Sequence, residues 1–180
     1  MTDLLRGKIK DFVEGVYDGP HATPPKAEGG PIFLGVTNVT PEGRLDFSET
    51  RYISENDFPR WTKRVVPQAG DIVFSYEATL HRYARIPEGF RGCLGRRMAL
   101  VRPKPDLVDS RFLHYYFLTR AWRAQVEAYV ISGSTVDRIP IAKFPDFEIA
   151  LPPLEEQKRI ADIIYSYDRL IENNRRRIQL

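Results

Sequence analysis

Three residues offer this chain its one arrangement with catalytic potential. Asp146 follows Pro145, and Glu156 precedes Lys158 by two positions, a loose match to the P-D…E-x-K pattern of metal-dependent nucleases. In that chemistry two carboxylates hold a divalent ion and the lysine assists near the attacked phosphate. Asp146, Glu156 and Lys158 would have to converge. Glu156 and Lys158, however, follow two prolines on a segment patterned as helix, where residues two apart point about 200° away from each other around the axis.

The remaining chemical potential lies in arginines. Arg82, Arg85, Arg91, Arg96, Arg97 and Arg102 fall between His81 and Arg102, opposed only by Glu88. The whole chain has 180 residues and a formal net charge of only +3, so outside this window it is net negative. Such a concentration points to an anionic partner, nucleic acid first; a solvated strand-and-loop surface is the alternative. Candidates for positioning on phosphates are Arg82, Arg91, Arg96, Arg97 and Lys26. Candidates for reading base edges are polar side chains after predicted strand ends: Thr37, Asn38, Tyr76, Glu77 and Thr79. Asn pairs bidentately with adenine and Glu accepts from cytosine. Ordinary turn hydrogen bonding is the competing role for Thr37, Asn38 and Thr79. Arg96 and Arg97 would serve equally in ion pairs within the fold, and Tyr76 in the core.

Other chemistries find no support. The sequence has no G-x-G-x-x-G, G-x-x-x-x-G-K-[ST] or G-x-S-x-G, and no Asn-Pro-Pro-Tyr of amino-methyltransferases. His21, His81 and His114 stand apart from one another, and His114 lies on a predicted apolar helix, where packing is its expected role. A single cysteine, Cys93, cannot form an intrachain disulfide, and no Cys/His spacing resembles a zinc site, so neither cofactor nor metal is expected. No apolar run approaches the ~18–20 residues of a membrane span, and Met1–Arg6 does not resemble a signal peptide. A soluble cytoplasmic protein is expected.

The elements that would position these residues are mixed. Strands are predicted over Ile32–Val36, Ile72–Phe74, Met98–Val101 and through Phe147, Ile149 and Leu151, with turns at Pro41–Gly43 and Gln68–Asp71. Ser54 with Asp57 predicts the N-cap of a short helix reaching Trp61, against which Pro59 argues. Asp109 or Ser110 should cap a helix carrying Phe112, Leu113, Tyr116 and Phe117, continued at helical spacing by Trp122, Val126, Tyr129 and Val130. Ile131–Thr135 should break it. Without regular strand–helix–strand alternation, the fold class is α+β.

From Leu154 the character changes. Pro152-Pro153 stops the last strand, Glu155 and Glu156 fall in a first helical turn, and Arg175, Arg176 and Arg177 lie near the end, each favourable against the helix dipole. Ile160, Ile164, Tyr167, Ile171, Asn174 and Ile178 are spaced 4-3-4-3-4. That is a coiled-coil seam with one polar position, widened by Ile163 and Leu170 and running out at Leu180. The stripe needs a partner, either a second helix or the chain's own domain.

Gly133-Ser134-Thr135-Val136 and the run Phe147-Glu148-Ile149-Ala150-Leu151-Pro152-Pro153-Leu154-Glu155-Glu156-Gln157-Lys158-Arg159-Ile160-Ala161, continued by Asp168 and Ile171, resemble the specificity (S) subunit of type I restriction–modification systems. Asp18–Pro24, Gly70–Ser75 and Cys93–Met98 are similar to pieces of that family's target recognition domain. The resemblance implies a target recognition domain over residues 1–150. Residues 151–180 would be a conserved helix for dimerisation and methyltransferase binding. It also implies a non-catalytic role: reading one half of a bipartite site on double-stranded DNA and recruiting methyltransferase, and possibly restriction, subunits. A full-length member carries two such domains and two long helices, whereas this chain has one of each, which implies a half-size form working as a homodimer. The nuclease and a pure coiled-coil assembly module are the alternatives.

Overall fold

A computed structural model describes residues 3–133 and 135–178. In chain order the elements are β1 (Leu5–Lys8), α1 (Ile9–Phe12), β2 (Val13–Asp18), β3 (Ala27–Leu34), β4 (Arg51–Tyr52), α2 (Phe58–Trp61), β5 (Ile72–Ser75), β6 (Tyr83–Arg85), β7 (Gly92–Leu94), β8 (Met98–Pro103), α3 (Ser110–Phe117), α4 (Arg120–Glu127), β9 (Glu148–Leu151) and α5 (Leu154–Ile178). The class is α+β.

The organising layer is the antiparallel sheet β2-β8-β5-β6. Every residue of β5 is buried, because both faces of the sheet are covered, and this is why its sequence reads as a continuous apolar run. Alternation sends Ile72, Phe74, Tyr83, Ala99 and Val101 into the core beneath the helices. Val73, Ala84, Met98 and Leu100 go to the other face, against Leu34 and Leu94 of a second sheet, β4-β3-β7, in which β3 and β7 run parallel. A two-stranded pair, β1 with β9, joins the N-terminal segment to the entry of α5.

The helical core is aromatic. Trp122 stacks on Phe117 with ring centres 4.6 Å apart, and its indole N–H donates to the Tyr83 hydroxyl at 3.1 Å, so its one polar group is satisfied. The expected single helix through Val130 is two helices. Asp109 caps α3 by accepting from the amides of Arg111 and Phe112, and Thr119 caps α4 by accepting from Trp122. The break at Leu118–Thr119 lets Trp122 turn back onto Phe117.

Two boundaries differ from expectation. β3 ends at Leu34, and Val36–Asn38 is a 3-10 turn, because the Asn38 side chain accepts from the amide of Gly35 and curls the chain. Ser54 accepts from the Asp57 amide and caps a turn, not the helix. α2 therefore starts at Phe58, and Pro59 falls in its first turn, where no amide partner is lost.

α5 lies on its own domain. Gln157 and Ala161 are fully buried and Ile160 packs on the helical core, so the first turns of α5 belong to that core. The stretches at Met1–Thr2 and Gln179–Leu180, and Ser134 in the family-like Gly133–Val136 run, lie outside the described residues.

Candidate nucleic-acid interface

One end of the four-stranded sheet gathers loops distant in sequence. β2 and β5 end there and β8 begins there. The Gly19 amide donates to Met98 O at 2.8 Å, Tyr76 N–H to Arg97 O at 3.1 Å, and Ser75 N–H to Arg82 O at 3.0 Å. Gly95 N–H donates to Leu34 O at 2.8 Å and so brings in the 35–38 turn. A Cβ on Gly19 would stand 2.5 Å from Gly95 O, so the two loops meet this closely only because glycine is present.

Thr37, Glu77, Thr79, Arg96 and Arg97 sit in these loops. Thr37, Thr79 and Arg96 are exposed, and Arg96 makes no ion pair among the described residues. Arg97 Nε donates to Glu77 Oε1 at 3.1 Å, both side chains being partly sheltered. Asp18, His21 and Arg64 share this end: Asp18 pairs with Arg64 and lies 3.3 Å from His21 Nε2. Asp18 and His21 stand within a stretch similar to the family's target recognition domain, but neither was singled out by the sequence as a site residue. Arg64 carried no such signal, because only the tertiary path brings it to Asp18.

Three expected site residues have other work. Asn38 is 3% exposed: its carbonyl oxygen accepts from Gly35, and its amide donates to Asp46 O and Glu49 O, each at 3.0 Å. With every polar group occupied, it braces the 35–49 loop and has none left for adenine. Tyr76 is 5% exposed, its ring part of the helical core; burial, helped by Asp18 and Glu77, pushes its phenol up to about 12. Arg91 precedes β7 whereas Arg96 follows it, so the two stand at opposite ends of that strand. The Arg91 guanidinium is held by both oxygens of Glu55 at 2.6 Å and lies 4.6 Å over the Phe58 ring. Lys26 is exposed before β3. Arg82 is half-buried beside Ser75, and its Nη1 is buried without a hydrogen-bond partner.

The arginine window is therefore dispersed. Arg102 is spent on Asp71, donating from Nε and Nη2 at 2.8 Å to a carboxylate that is 2% exposed. Arg85 lines a cleft beneath α5. Successive strands and turns carry neighbours in sequence to different faces and ends of the sheets.

The nuclease triad is not assembled. Lys8 and Lys10 hold the Asp146 carboxylate at 3.2 and 2.8 Å, whereas Lys158 pairs with Glu155. Among the described residues no three His, Cys, Asp or Glu side chains are grouped to hold a metal ion. Burial pushes the Cys93 thiol up to about 12, away from nucleophilic reactivity.

The seam on α5 is divided. Gln157, Ala161, Ile164, Asp168 and Glu172 face the domain, and Ile164 lines the cleft of about 630 Å³ between α5, α3 and Glu42–Leu45. Ile160 and Ile164 are partly buried at the edge of that side, so the N-terminal half of the seam already touches the domain. Tyr167, Ile171, Asn174 and Ile178, with Ile163 and Leu170, are exposed; Ile171 lies seven residues beyond Ile164 on the same stripe, so the stripe emerges from the domain along its C-terminal half.

This architecture of a sheet with loops gathered at one end and a long helix strapped to its flank has clear relatives. The model of the type I restriction modification DNA specificity domain matches residues 27–180, and the chain belongs to that family. A Methanocaldococcus jannaschii protein named as the specificity subunit of type I restriction enzyme MjaX is 33% identical over 182 residues, covering 96% of this chain and 41% of that protein. The MjaVIII specificity subunit of the same organism is 25% identical over 77% of this chain and 32% of its own length. This chain thus spans less than half the length of these relatives. Among solved structures, the HsdS subunit from Thermoanaerobacter tengcongensis superposes with a TM-score of 0.71 at 16% identity, covering 96% of this chain and 44% of that one. The type I S subunit from M. genitalium gives 0.60 at 17% identity, over 96% of this chain and 41% of that one. Among the described residues no helix is long and apolar enough to cross a membrane.

Proposed function

We propose that this chain is a non-catalytic DNA-reading module that recognises one half of a bipartite target and recruits a methyltransferase. Residues 1–150 read the DNA and residues 151–180 carry the assembly. The observation that carries this reading is the convergence of Thr37, Glu77, Thr79, Arg96 and Arg97 at one sheet end, in a chain of the DNA specificity family. Base-reading and phosphate-binding side chains have to stand together on one face to engage a duplex.

The assembly element is the outer face of α5. Ile163, Tyr167, Leu170 and Ile171 are 60%, 64%, 56% and 45% exposed, an apolar stripe on a helix whose other side is already occupied. A second copy of this chain is its partner, with methyltransferase subunits, and the restriction subunit where one exists, docking on the paired helices. The setting is the cytoplasm, where DNA and these subunits meet.

Duplex binding by the full chain, with and without a co-expressed methyltransferase subunit, tests the reading. Salt-sensitive binding with an enriched motif from a random pool is expected, and no cleavage with magnesium. Sequence-blind binding, or none in either arm, would overturn it.

A further inference from the structure

Two backbone turns of unfavourable conformation flank a single ion pair. Arg97 holds the third position of a β-turn closed by Met98 N–H to Gly95 O at 3.2 Å, with φ +68°, a place that favours glycine. Ala78 is the centre of a tight turn closed by Thr79 N–H to Glu77 O at 2.9 Å, with φ +67°, the rarer and strained kind of γ-turn. Between them, Arg97 Nε donates to Glu77 Oε1. Strain at non-glycine residues persists where the surroundings over-determine it, and it concentrates at binding sites. Here the strained turns place one guanidinium and one carboxylate side by side at the loop end of the sheet.

We propose that Arg97 and Glu77 act as one unit that reads a guanine–cytosine pair in the major groove, Arg97 on guanine O6 and N7 and Glu77 on cytosine N4. This deepens the DNA-reading function proposed above and rests on it. Because Arg97 meets Glu77 through Nε, its Nη1 and Nη2 fork makes no hydrogen bond among the described residues, and neither does Glu77 Oε2. The pair therefore offers two donors and one acceptor without partners among the described residues. A G·C pair presents the complement in the major groove, two guanine acceptors and then the cytosine amino donor. An adenine–thymine pair sets the adenine amino group against the guanidinium and fails. Glu77 also separates this role from a phosphate contact: a carboxylate at 3.1 Å from the guanidinium repels a phosphate but suits a base edge that carries a donor. Arg96, next in the same turn and unpaired among the described residues, is the better phosphate partner.

The test is selection of duplexes from a random pool by the full chain and by Arg97→Lys, Arg97→Gly and Glu77→Ala, with and without a co-expressed methyltransferase subunit. Affinities are then measured for the selected duplex and its single-pair variants. Arg97→Gly suits the left-handed turn and keeps the backbone; Arg97→Lys keeps the charge and loses the fork. The expected result is one G·C position at which all three variants lose about 5- to 150-fold discrimination while the rest of the motif is kept. Uniform weakening with a shallower salt slope, or relaxation at different positions by the Arg97 and Glu77 variants, would overturn the unit. A wild-type motif that no variant changes overturns it too, and leaves DNA reading standing. A wild-type chain that enriches nothing in either arm overturns both.

Discussion

The Tyr115 hydroxyl on α3 donates to Asp168 Oδ2 on α5 at 2.8 Å, tying the middle of the long helix to the domain. Arg111 reaches Asp162 at 2.7 Å one and a half turns earlier, and Arg44 reaches Glu172 at 2.7 Å one turn later. The two arginine pairs are solvated and contribute little. Tyr115 is more sheltered: burial, then the Asp168 carboxylate, pushes its phenol up, so it stays a donor throughout the neutral range. Tyr115→Phe should cost about 1.5 kcal/mol, the worth of a hydrogen bond to a charged group. Urea denaturation would measure it, and an unchanged midpoint would show that the tether carries no load.

Gln157 should be the most sensitive position on α5. It is fully buried; its oxygen accepts from Asp109 N–H at 3.0 Å, and its amide donates to Leu107 O at 3.0 Å and Pro152 O at 2.9 Å. Gln157→Leu preserves volume and leaves three main-chain groups without partners, at a cost of about 3 kcal/mol or more. Thermal unfolding is the measurement, and a shift within error would contradict the assignment.

The covered and the exposed parts of the α5 stripe should respond differently to charge. Leu170→Lys with Ile171→Lys acts on the exposed face and should dissociate a dimer with little change in unfolding midpoint. Ile164→Lys, in the cleft under the helix, should lower the midpoint and leave association of the folded fraction intact. Asn174→Ile should tighten association, because a polar seam residue fixes register at a cost in stability. Sedimentation of all three variants decides it: a wild-type monomer at high micromolar concentration removes the dimer.

Two arginines of one window should behave oppositely on DNA. Arg96→Ala should weaken binding to every duplex and reduce the salt slope by about one unit. Arg91→Ala should leave both unchanged, since Glu55 holds that guanidinium at the far end of β7. Equal losses from both would move the interface to a different face. If two copies of the chain pair through α5, the selected site should be an interrupted palindrome of identical inverted halves. The 25-residue helix, about 37 Å long, is of the order of one duplex turn, which sets the separation of the half-sites. An asymmetric motif would exclude the homodimer.

Acid should destabilise the fold through His114. Burial pushes its pKa down to about 4 from an ordinary 6.5, with Arg85 adding to the effect and contacts to Tyr83 and Gly43 opposing it. Between those values the unfolded chain binds more protons than the folded one. Stability is therefore fully present above about pH 6.5 and is lost as pH falls towards 4, by roughly 3 kcal/mol at most. His114→Gln should flatten that slope, leaving the part due to His81, whose pKa burial and then Arg123 also lower. Denaturation at pH 4.5 and 7 would show it.

Sequence alone determined what depends on local pattern. β5 showed as an apolar run, Asp109 or Ser110 as a cap, and α5 as a long helix by its prolines, charges and spacing, because hydrogen bonding and burial period act over a few residues. The family was legible in the stretch from Phe147 to Ala161, where Gln157 turns out to hold the strand-to-helix junction. Tertiary structure alone decided which polar residues share a surface. Asn38 and Thr37 are adjacent in sequence, yet one is consumed by its loop and the other is exposed. Arg91 and Arg96 lie five apart, yet three residues of strand carry them to opposite ends. Which part of the α5 stripe is covered was likewise settled by packing: Gln157 and Ala161 are buried on the domain, whereas Ile171, on the same stripe as Ile164, is exposed. A charge or a seam in the sequence states what a side chain can do; only long-range packing, which pairs Glu77 with Arg97 across twenty residues, fixes where it does it.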